Sequence, residues 1–297
     1  MTLTTLSVPD SWLPPAFTRR RVETNGTTLS VAVGGQDRPG PAVVLLHGWP
    51  QTGRAWQAVM TRLVERHPVI VPDLRGAGGS ERPPDGYRKT NQARDMRGVL
   101  AALGRPGPAV VVGHDIGGMV ALAWAAEFPD DVAALVTLDV LFPGLGLEAA
   151  MDVANGGMWH FGFFMQPGIP EMLFDTHELE FFTASFRALS NPGTFSDGDL
   201  AWYADAYRGR DRLRGGFSQY HDLLADGRDN RELLAGRPLA MPVLAIGGRD
   251  RTGTAVAAAL RPHATRLTEV IAPTGHFIAE EAPDWFVRTL EDFLVST

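Results

Sequence analysis

One aspartate has the sequence surroundings of a nucleophile. Asp115 lies within segment 113–118 (GHDIGG), after an apolar stretch at 109–112 and before an Ala- and Leu-rich stretch at 119–128. The first stretch predicts a buried strand, and the second predicts a helix that ends at the following proline. The small residues let strand and helix approach closely, so the sharp turn holds the middle side chain at the carboxyl edge of a sheet. A carboxylate held there can attack an electrophilic carbon and form an ester.

A histidine near the end of the chain could remove what the carboxylate has bonded. His276 lies in segment 274–277 (TGHF), after the last predicted strand. A histidine with a pKa near neutrality can activate water against the Asp115 ester. The simpler alternative is that Asp115 caps a helix and His276 is a core residue. An aspartate at a strand-to-helix turn together with a late loop histidine favours catalysis.

Two carboxylates compete for the acid that orients His276. Asp250 follows the penultimate predicted strand in segment 247–250 (GGRD), and Asp139 follows the strand after the Asp115 turn. Either one could hold the imidazole tautomer and stabilise the imidazolium. The carboxylate not used this way would cap a helix or pair with an arginine.

Segment 47–50 (HGWP) follows another buried strand and predicts an oxyanion hole. Its donors would be the backbone N–H groups of Trp49 and of Ile116, the residue after the nucleophile. The alternative is a tight turn that needs only glycine and proline.

Segments 159–164 (WHFGFF) and 217–221 (FSQYH) each place polar donors within an aromatic run. His160 or Tyr220, if held above the nucleophile, could donate hydrogen bonds to an oxygen that leaves the attacked carbon. Each residue taken alone more often has a packing role, since histidine and tyrosine of intermediate burial are common. The pair Phe163 and Phe164, with Trp49, predicts an apolar pocket, although core packing explains them equally well.

Alternating strands and helices predict an α/β fold with a mostly parallel sheet covered by helices on both faces. The Asn25-Gly26 pair predicts a hairpin near the start of the chain, and residues 1–15 predict a loose arm. The sheet pattern stops at residue 142 and resumes after 236. We therefore predict a core formed by residues 1–141 and 237–297, with a helical cap at 142–236 inserted over the site. Ligands of such sheets bind beyond the carboxyl ends of the strands.

Composition excludes several classes of protein. The chain has 297 residues, a formal net charge of −7 and no cysteine. Disulfides and thiol catalysis are therefore excluded, and there is no basic surface for nucleic acid. No membrane-spanning run and no signal peptide is recognisable, so we predict a cytoplasmic location. No metal or organic cofactor is implied.

These motifs together resemble the epoxide hydrolases of the α/β-hydrolase superfamily. The likeness rests on segments 47–50, 113–118 and 275–277 and covers essentially the chain after the N-terminal arm. The family usually has two cap tyrosines that activate the epoxide oxygen. Tyr220 matches the second, and His160 replaces the first, as in a bacterial branch with a His/Tyr pair. The resemblance implies an uncharged apolar epoxide as substrate and a vicinal diol as product.

In that branch the acid lies 24 residues past the nucleophile, and here 139 − 115 = 24. The resemblance therefore favours Asp139, although Asp250 also occupies a usual position for the acid.

Dehalogenases of the same superfamily are the main alternative, since they also use an aspartate nucleophile. Haloalkane dehalogenases place Trp after the nucleophile, and fluoroacetate dehalogenases use two arginines nearby to bind the substrate carboxylate. Ile116 and Met119 stand at the arginine positions here, which favours an uncharged substrate. Serine esterases are excluded by Asp115. A non-catalytic ligand-binding protein on the same fold is an alternative of another class, and a homodimer fits either.

Overall fold

The computed structural model describes residues 10–297, and its strands form one eight-stranded sheet. The strand order across the sheet is β1-β2-β4-β3-β5-β6-β7-β8. The strands are β1 (Phe17–Thr24), β2 (Thr27–Gly34), β3 (Val43–Leu46), β4 (Val69–Pro72), β5 (Ala109–His114), β6 (Val132–Leu138), β7 (Val243–Gly248) and β8 (Leu267–Ala272).

The sheet is antiparallel only at its N-terminal edge. Strand β2 pairs antiparallel with both β1 and β4, and every pairing from β4 to β8 is parallel. Asn25 and Gly26 both have positive φ, which the tight hairpin between β1 and β2 requires, so the predicted hairpin is confirmed. The carboxyl ends of β3, β5, β6 and β7 meet at one edge of the sheet. The predicted α/β fold with a mostly parallel sheet is confirmed.

Within residues 10–297, twelve α-helices cover the sheet and form the segment between β6 and β7. They are α1 (Gln57–Leu63), α2 (Lys89–Ala102), α3 (Ile116–Glu127), α4 (Trp159–Phe164), α5 (Ile169–Phe174), α6 (Glu178–Leu189), α7 (Asp197–Ala206), α8 (Arg210–His221), α9 (Leu223–Leu234), α10 (Ala255–Leu260), α11 (Ile278–Glu281) and α12 (Pro283–Val295). Short 3-10 helices account for several connections.

A hydrophobic core lies on each face of the sheet. Successive residues of β3 contribute to different cores. Val43 and Leu45 belong to one, here called the first core, and Val44 and Leu46 belong to the other, the second core. This follows from the two-residue period of a strand. Helices α1 and α12 cover the first core, whereas α2, α3 and residues 142–236 cover the second.

Residues 142–236, here called the helical insert, contain helices and no strand. Helices α4 to α9 lie within it, between β6 and β7. Several of its aromatic side chains, among them Phe164, Phe182 and Phe217, belong to the second core.

The structure corrects three sequence-based boundaries. Helix α3 begins at Ile116, three residues earlier than expected from the Ala- and Leu-rich stretch. The sequence also predicts one helix over residues 52–66, but the structure has a 3-10 turn followed by the shorter α1. The sequence also predicts a last helix at 281–295, but α12 begins at Pro283 and Glu281 ends the separate α11, because Ala282 precedes a proline and that position disfavours helical backbone.

The predicted N-terminal arm is partly wrong. Residues 10–12 form a 3-10 turn, and Trp12 is buried in the first core with the Arg19 guanidinium 5.2 Å from its ring centroid. Burial of a large indole is strongly favourable, so this part of the chain is held to the sheet. The rest of the predicted arm, residues 1–9, lies outside the described residues.

None of the helices in the described part of the chain has both the length and the apolar character that crossing a bilayer requires.

Candidate active site

Asp115 occupies a strained turn between β5 and α3. Its backbone has φ 50° and ψ −121°, a region that residues with a side chain rarely adopt. Glycines permit the turn, because a Cβ on Gly117 would lie 2.3 Å from the carbonyl oxygen of Leu46. The Asp115 side chain makes no capping hydrogen bond to α3, so the simpler reading of this residue as a helix cap is wrong.

His276 lies in the loop after β8 and is held by Asp139, which follows β6. Its Nδ1 is 2.6 Å from Asp139 Oδ2. The other oxygen of Asp139 accepts hydrogen bonds from the Gly248 N–H at 2.8 Å and from the N–H and hydroxyl of Thr252. Asp139 has φ 39°, a second strained residue at this edge of the sheet.

The pair shifts both pKa values toward the ionised forms. Burial acts to raise the pKa of Asp139, but the hydrogen bond and charge of His276, with the Thr252 and Gly248 donors, hold that pKa below its usual range. Burial acts to lower the pKa of His276, but the hydrogen bond and charge of Asp139, with the charge of Asp115, raise it. The site therefore stabilises an imidazolium at His276.

Asp250, the competing candidate for the acid, is not brought to the histidine. It is exposed on the turn after β7. The hydrogen bond at His276 Nδ1 is made to Asp139.

Asp115 and His276 face one another without direct contact. His276 Nε2 lies 4.0 Å from Asp115 Oδ2, and the two side chains are 13% and 19% exposed. This distance is longer than a hydrogen bond. The arrangement leaves Nε2 available to another proton donor beside the Asp115 carboxylate.

Trp49 provides a backbone donor to the other oxygen of Asp115. Its N–H donates to Oδ1 at 3.0 Å. Ile116 is the first residue of α3, so its N–H has no acceptor inside the helix. A Cβ on Gly48 would lie 2.7 Å from the Asp115 Cβ, which explains the glycine before Trp49.

Sequence reasoning missed the role of His47 in shaping this loop. Its Nδ1 lies 2.8 Å from the Gly48 carbonyl oxygen, and its Nε2 accepts from the Leu74 N–H at 3.0 Å. Burial lowers the pKa of His47 and keeps the ring neutral, with the proton on Nδ1. The ring thus joins the loop after β3 to the loop after β4 and fixes the Trp49 N–H.

His160 on α4 and Tyr220 on α8 come together, as the sequence predicts. Their ring centroids are 6.3 Å apart. Burial lowers the pKa of His160 against the opposing charge of Asp115, whereas burial and the Asp115 charge raise the pKa of Tyr220. Both groups are therefore neutral near pH 7. Within residues 10–297 neither side chain has a hydrogen-bond partner, so both can donate to a bound molecule.

An aromatic wall surrounds Trp49. Phe164 is buried and packs edge-on against it with ring centroids 5.1 Å apart, whereas Phe163 is only partly buried. Four further rings that no sequence motif indicated pack on Trp49 or Phe164, although the aromatic run at 181–182 was a usable signal. These rings are Phe174, Phe181, Phe182 and Tyr207.

A polar chain behind His276 was also missed. Tyr203, Glu280, Gln51 and His114 are joined by successive hydrogen bonds that end at the backbone carbonyl of His276. Their sequence separations reach 229 residues, so no local pattern could reveal them.

In the described part of the chain, no three His, Asp or Glu side chains are grouped as a metal site would need.

The chain belongs to the α/β-hydrolase fold family, whose sequence model matches residues 41–283, and it is a hydrolase. The soluble epoxide hydrolase of Corynebacterium sp. (strain C12) is 31% identical, over 93% of this chain and 97% of that protein. The fluoroacetate dehalogenase of Burkholderia sp. is 30% identical, over 94% of each chain. The crystal structure of the Cif epoxide hydrolase from Acinetobacter nosocomialis superposes with a TM-score of 0.87 at 26% identity, covering 95% of this chain and 90% of that one.

Proposed function

We propose that the protein is an epoxide hydrolase that opens an uncharged epoxide to a vicinal diol through an ester of Asp115. The observation that carries the proposal is the pair of neutral donors, His160 and Tyr220, whose side chains have no hydrogen-bond partner within residues 10–297 and whose pKa values respond to the Asp115 charge. Opening of an epoxide releases an oxygen that needs such donors. The similarity to the Corynebacterium soluble epoxide hydrolase supports the same substrate class.

In the first step, an oxygen of Asp115 attacks an epoxide carbon and the carbon–oxygen bond of the ring breaks. His160 and Tyr220 donate hydrogen bonds to the oxygen as it takes the electron pair, and Tyr220 transfers its proton to it, so that the oxygen becomes the hydroxyl of a β-hydroxyalkyl ester. Ring strain lowers the need for a strong acid, so a neutral histidine and a tyrosine with a raised pKa are sufficient donors.

In the second step, water hydrolyses the ester. His276 Nε2 takes a proton from the water, whose oxygen bonds to the ester carbon, and Asp139 stabilises the imidazolium. The N–H groups of Trp49 and Ile116 stabilise the oxyanion, each contributing about 3 kcal/mol. His276 gives this proton to the departing alkoxide, and the diol is released. The proton left on the Asp115 carboxyl group returns to Tyr220, which restores the Asp115 carboxylate.

We propose that the helical insert is the cap domain of this enzyme and that Phe163, Phe164 and Trp49 line the substrate pocket. Ile116 and Met119 are both buried beside the nucleophile and carry no charge. A carboxylate substrate would therefore lose its hydration without gaining an ion pair, which supports an uncharged substrate.

Dehalogenation with the same nucleophile is the second candidate. The 30% identity to a fluoroacetate dehalogenase supports it. Trp159 also packs edge-on against His160, with ring centroids 6.1 Å apart, and this pair resembles the Trp and His that bind halide in the cap of that family. The uncharged Ile116 and Met119 favour the epoxide.

The test is intact-protein mass spectrometry of His276→Gln after incubation with epoxides, haloalkanes and fluoroacetate. The variant keeps the nucleophile but lacks the base, so we expect an adduct with the full mass of an epoxide. Asp115→Asn, matched in size, should give none. Adducts only from halides, at the substrate mass less HX, would make the protein a dehalogenase. No adduct and no turnover with the whole panel would favour a ligand-binding protein.

A cytoplasmic location and a homodimer stay predictions from the sequence.

A further inference from the structure

A chain of buried polar groups connects the helical insert to the backbone of His276. The Tyr203 hydroxyl donates to Glu280 Oε1 at 2.7 Å, and Glu280 Oε2 lies 2.5 Å from the side-chain nitrogen of Gln51. The Gln51 oxygen lies 2.9 Å from His114 Nδ1, and His114 Nε2 lies 2.9 Å from the carbonyl oxygen of His276. Neither the ester mechanism nor the oxyanion hole uses this chain.

The position of the proton on the neutral His114 ring sets the direction of these hydrogen bonds. A carbonyl oxygen only accepts, so a bond to His276 requires the proton on His114 Nε2. The Nδ1 of a neutral His114 must then accept, and Gln51 must present its NH₂ group to it. The Gln51 oxygen then faces Glu280, which has to be protonated in order to donate. Amide oxygen and nitrogen are close in size, so the same atomic positions serve either orientation of Gln51.

Loss of the Glu280 proton reverses the direction of the hydrogen bonds along the chain. An ionised Glu280 accepts from both Tyr203 and the Gln51 NH₂ group, which is the amide orientation in the structure. The Gln51 oxygen then faces His114 Nδ1, which must carry the ring proton. The lone pair on His114 Nε2 is left against the carbonyl oxygen of His276, and that hydrogen bond is lost.

The pKa values of the two groups make this exchange accessible near neutral pH. Burial, reinforced by the neighbouring His276, lowers the pKa of His114 to about 4, so the ring carries a single proton at pH 7. Burial raises the pKa of Glu280 to about 7. The Tyr203 pKa is raised well above its usual value, so its hydroxyl stays a donor throughout.

Some charged groups around the chain act to raise the pKa values of Glu280 and His114, and others act to lower them. Arg54, whose guanidinium lies 5.4 Å from the Tyr203 ring centroid, acts to lower the pKa of Glu280, and its ion-pair partner Asp199 acts to raise it. Around His114, the charges of Asp115 and Asp139 act to raise its pKa without overcoming burial.

We propose that Glu280 and Gln51 are positioning residues for His276 that act through His114. When Glu280 is protonated, His114 donates to the His276 backbone and holds the imidazole for attack on the ester; when Glu280 is ionised, that support is lost. The proposal rests on the proposed function, because it assigns these residues to the hydrolysis step. The Glu280 proton is not consumed, since His276 exchanges its proton with the attacking water and the departing alkoxide.

The kinetic test is the pH dependence of ester hydrolysis in single turnover, followed by decay of the covalent adduct. In the wild type, the rate should fall about tenfold per pH unit above about pH 7, as the protonated fraction of Glu280 falls. Glu280→Gln cannot ionise and its NH₂ group can still donate to Gln51, so the decline should disappear. Tyr203→Phe removes a donor that stabilises the carboxylate, so the decline should move to higher pH.

Glu281→Gln is the matched control. Glu281 accepts N–H groups of Gly275, Phe277 and Asn191 but has no contact with Gln51. If loosening of the His276 loop were the whole effect, both Glu→Gln variants would lower the rate at every pH and leave the position of the decline unchanged. That result would overturn the proposal.

A second readout does not depend on substrate. In ¹⁵N-histidine NMR spectra of the free protein, the His114 proton should move from Nε2 to Nδ1 as pH rises past about 7. In Glu280→Gln it should stay on Nε2. An unchanged His114 tautomer in the wild type from pH 5 to pH 9 would overturn the proposal even if the enzyme hydrolyses epoxides. A tautomer change in a protein without epoxide turnover would instead count against the proposed function alone.

Discussion

At the scale of single residues, the carboxylates of Asp139 and Asp115 lie in different surroundings, which suit them to different roles. Asp139 is buried and accepts from His276, Gly248 and Thr252, whereas Asp115 is 19% exposed and accepts a single N–H, from Trp49. A carboxylate saturated with donors is a poor nucleophile and a good electrostatic partner. The less restrained Asp115 keeps one oxygen without an N–H donor from residues 10–297, as the proposed nucleophile requires.

Replacement of each candidate acid should have very different effects. Asp139→Asn removes the charge that stabilises the His276 imidazolium, so we expect turnover to fall about 10³–10⁴-fold. The pKa of His276 should fall as well, because Asp139 raises it. Asp250→Asn, at an exposed position, should stay within about twofold of the wild type in steady-state kinetics. Equal losses in the two variants would contradict the assignment of Asp139.

At the scale of elements, α8 carries Tyr220 and is fixed to the core by polar contacts. The Lys89 ammonium group, 1% exposed, donates to the Gln219 carbonyl oxygen at 2.7 Å and lies 3.6 Å from Asp226 Oδ2. The Gln219 side chain donates to the Arg75 carbonyl oxygen at 2.7 Å. Gln219, which precedes Tyr220 in α8, is thus hydrogen-bonded to α2 and to the loop after β4.

Removal of the buried Lys89 charge should destabilise the protein. Lys89→Met leaves Asp226 buried without its cation, and we expect a loss of about 3 kcal/mol in the free energy of unfolding, measured with urea. In the double variant Lys89→Met/Asp226→Asn the buried charge is gone, and at least half of the loss should be recovered. Additive losses in the double variant would show that the two side chains do not act as a pair.

At the scale of the whole molecule, Glu280 links stability to pH. Its pKa is raised from 4.5 to about 7 on folding, so the folded state binds this proton more tightly than the unfolded chain. The resulting stabilisation is complete below pH 4.5 and is lost as pH rises toward about 7.

Comparison of Glu280→Gln with the wild type isolates this contribution, since the other titrating groups are common to both. The free energy of unfolding of the variant minus that of the wild type should increase from pH 5 to about pH 7.5 and then level off. Urea unfolding at several pH values measures it. A difference that does not change with pH would mean that Glu280 titrates normally in the folded protein.

The sequence predicted those features whose signals are local. The strand, glycines and helix around Asp115 follow one another in the sequence. The hairpin at Asn25 and the helical insert are likewise each formed by one continuous segment. Asp139 and Asp250 could not be separated by the residues alone, because both follow sheet strands and the choice depends on which one the loop after β8 reaches. The start of α3 was placed too late because glycine disfavours helices, whereas here the close approach of Gly117 to Leu46 overrides propensity.

The contact between Gly76 and Gly215 limits how the site can open. A Cβ on either glycine would lie within 2.5 Å of the other's carbonyl oxygen, so backbone lies directly on backbone at this point. A swing of the whole insert away from the sheet would break this contact together with the Lys89 and Gln219 anchors. If the insert caps the site as proposed, we expect small molecules to reach Asp115 by local displacement of α4 and α5, where Trp159, Met172 and Leu173 are exposed to solvent.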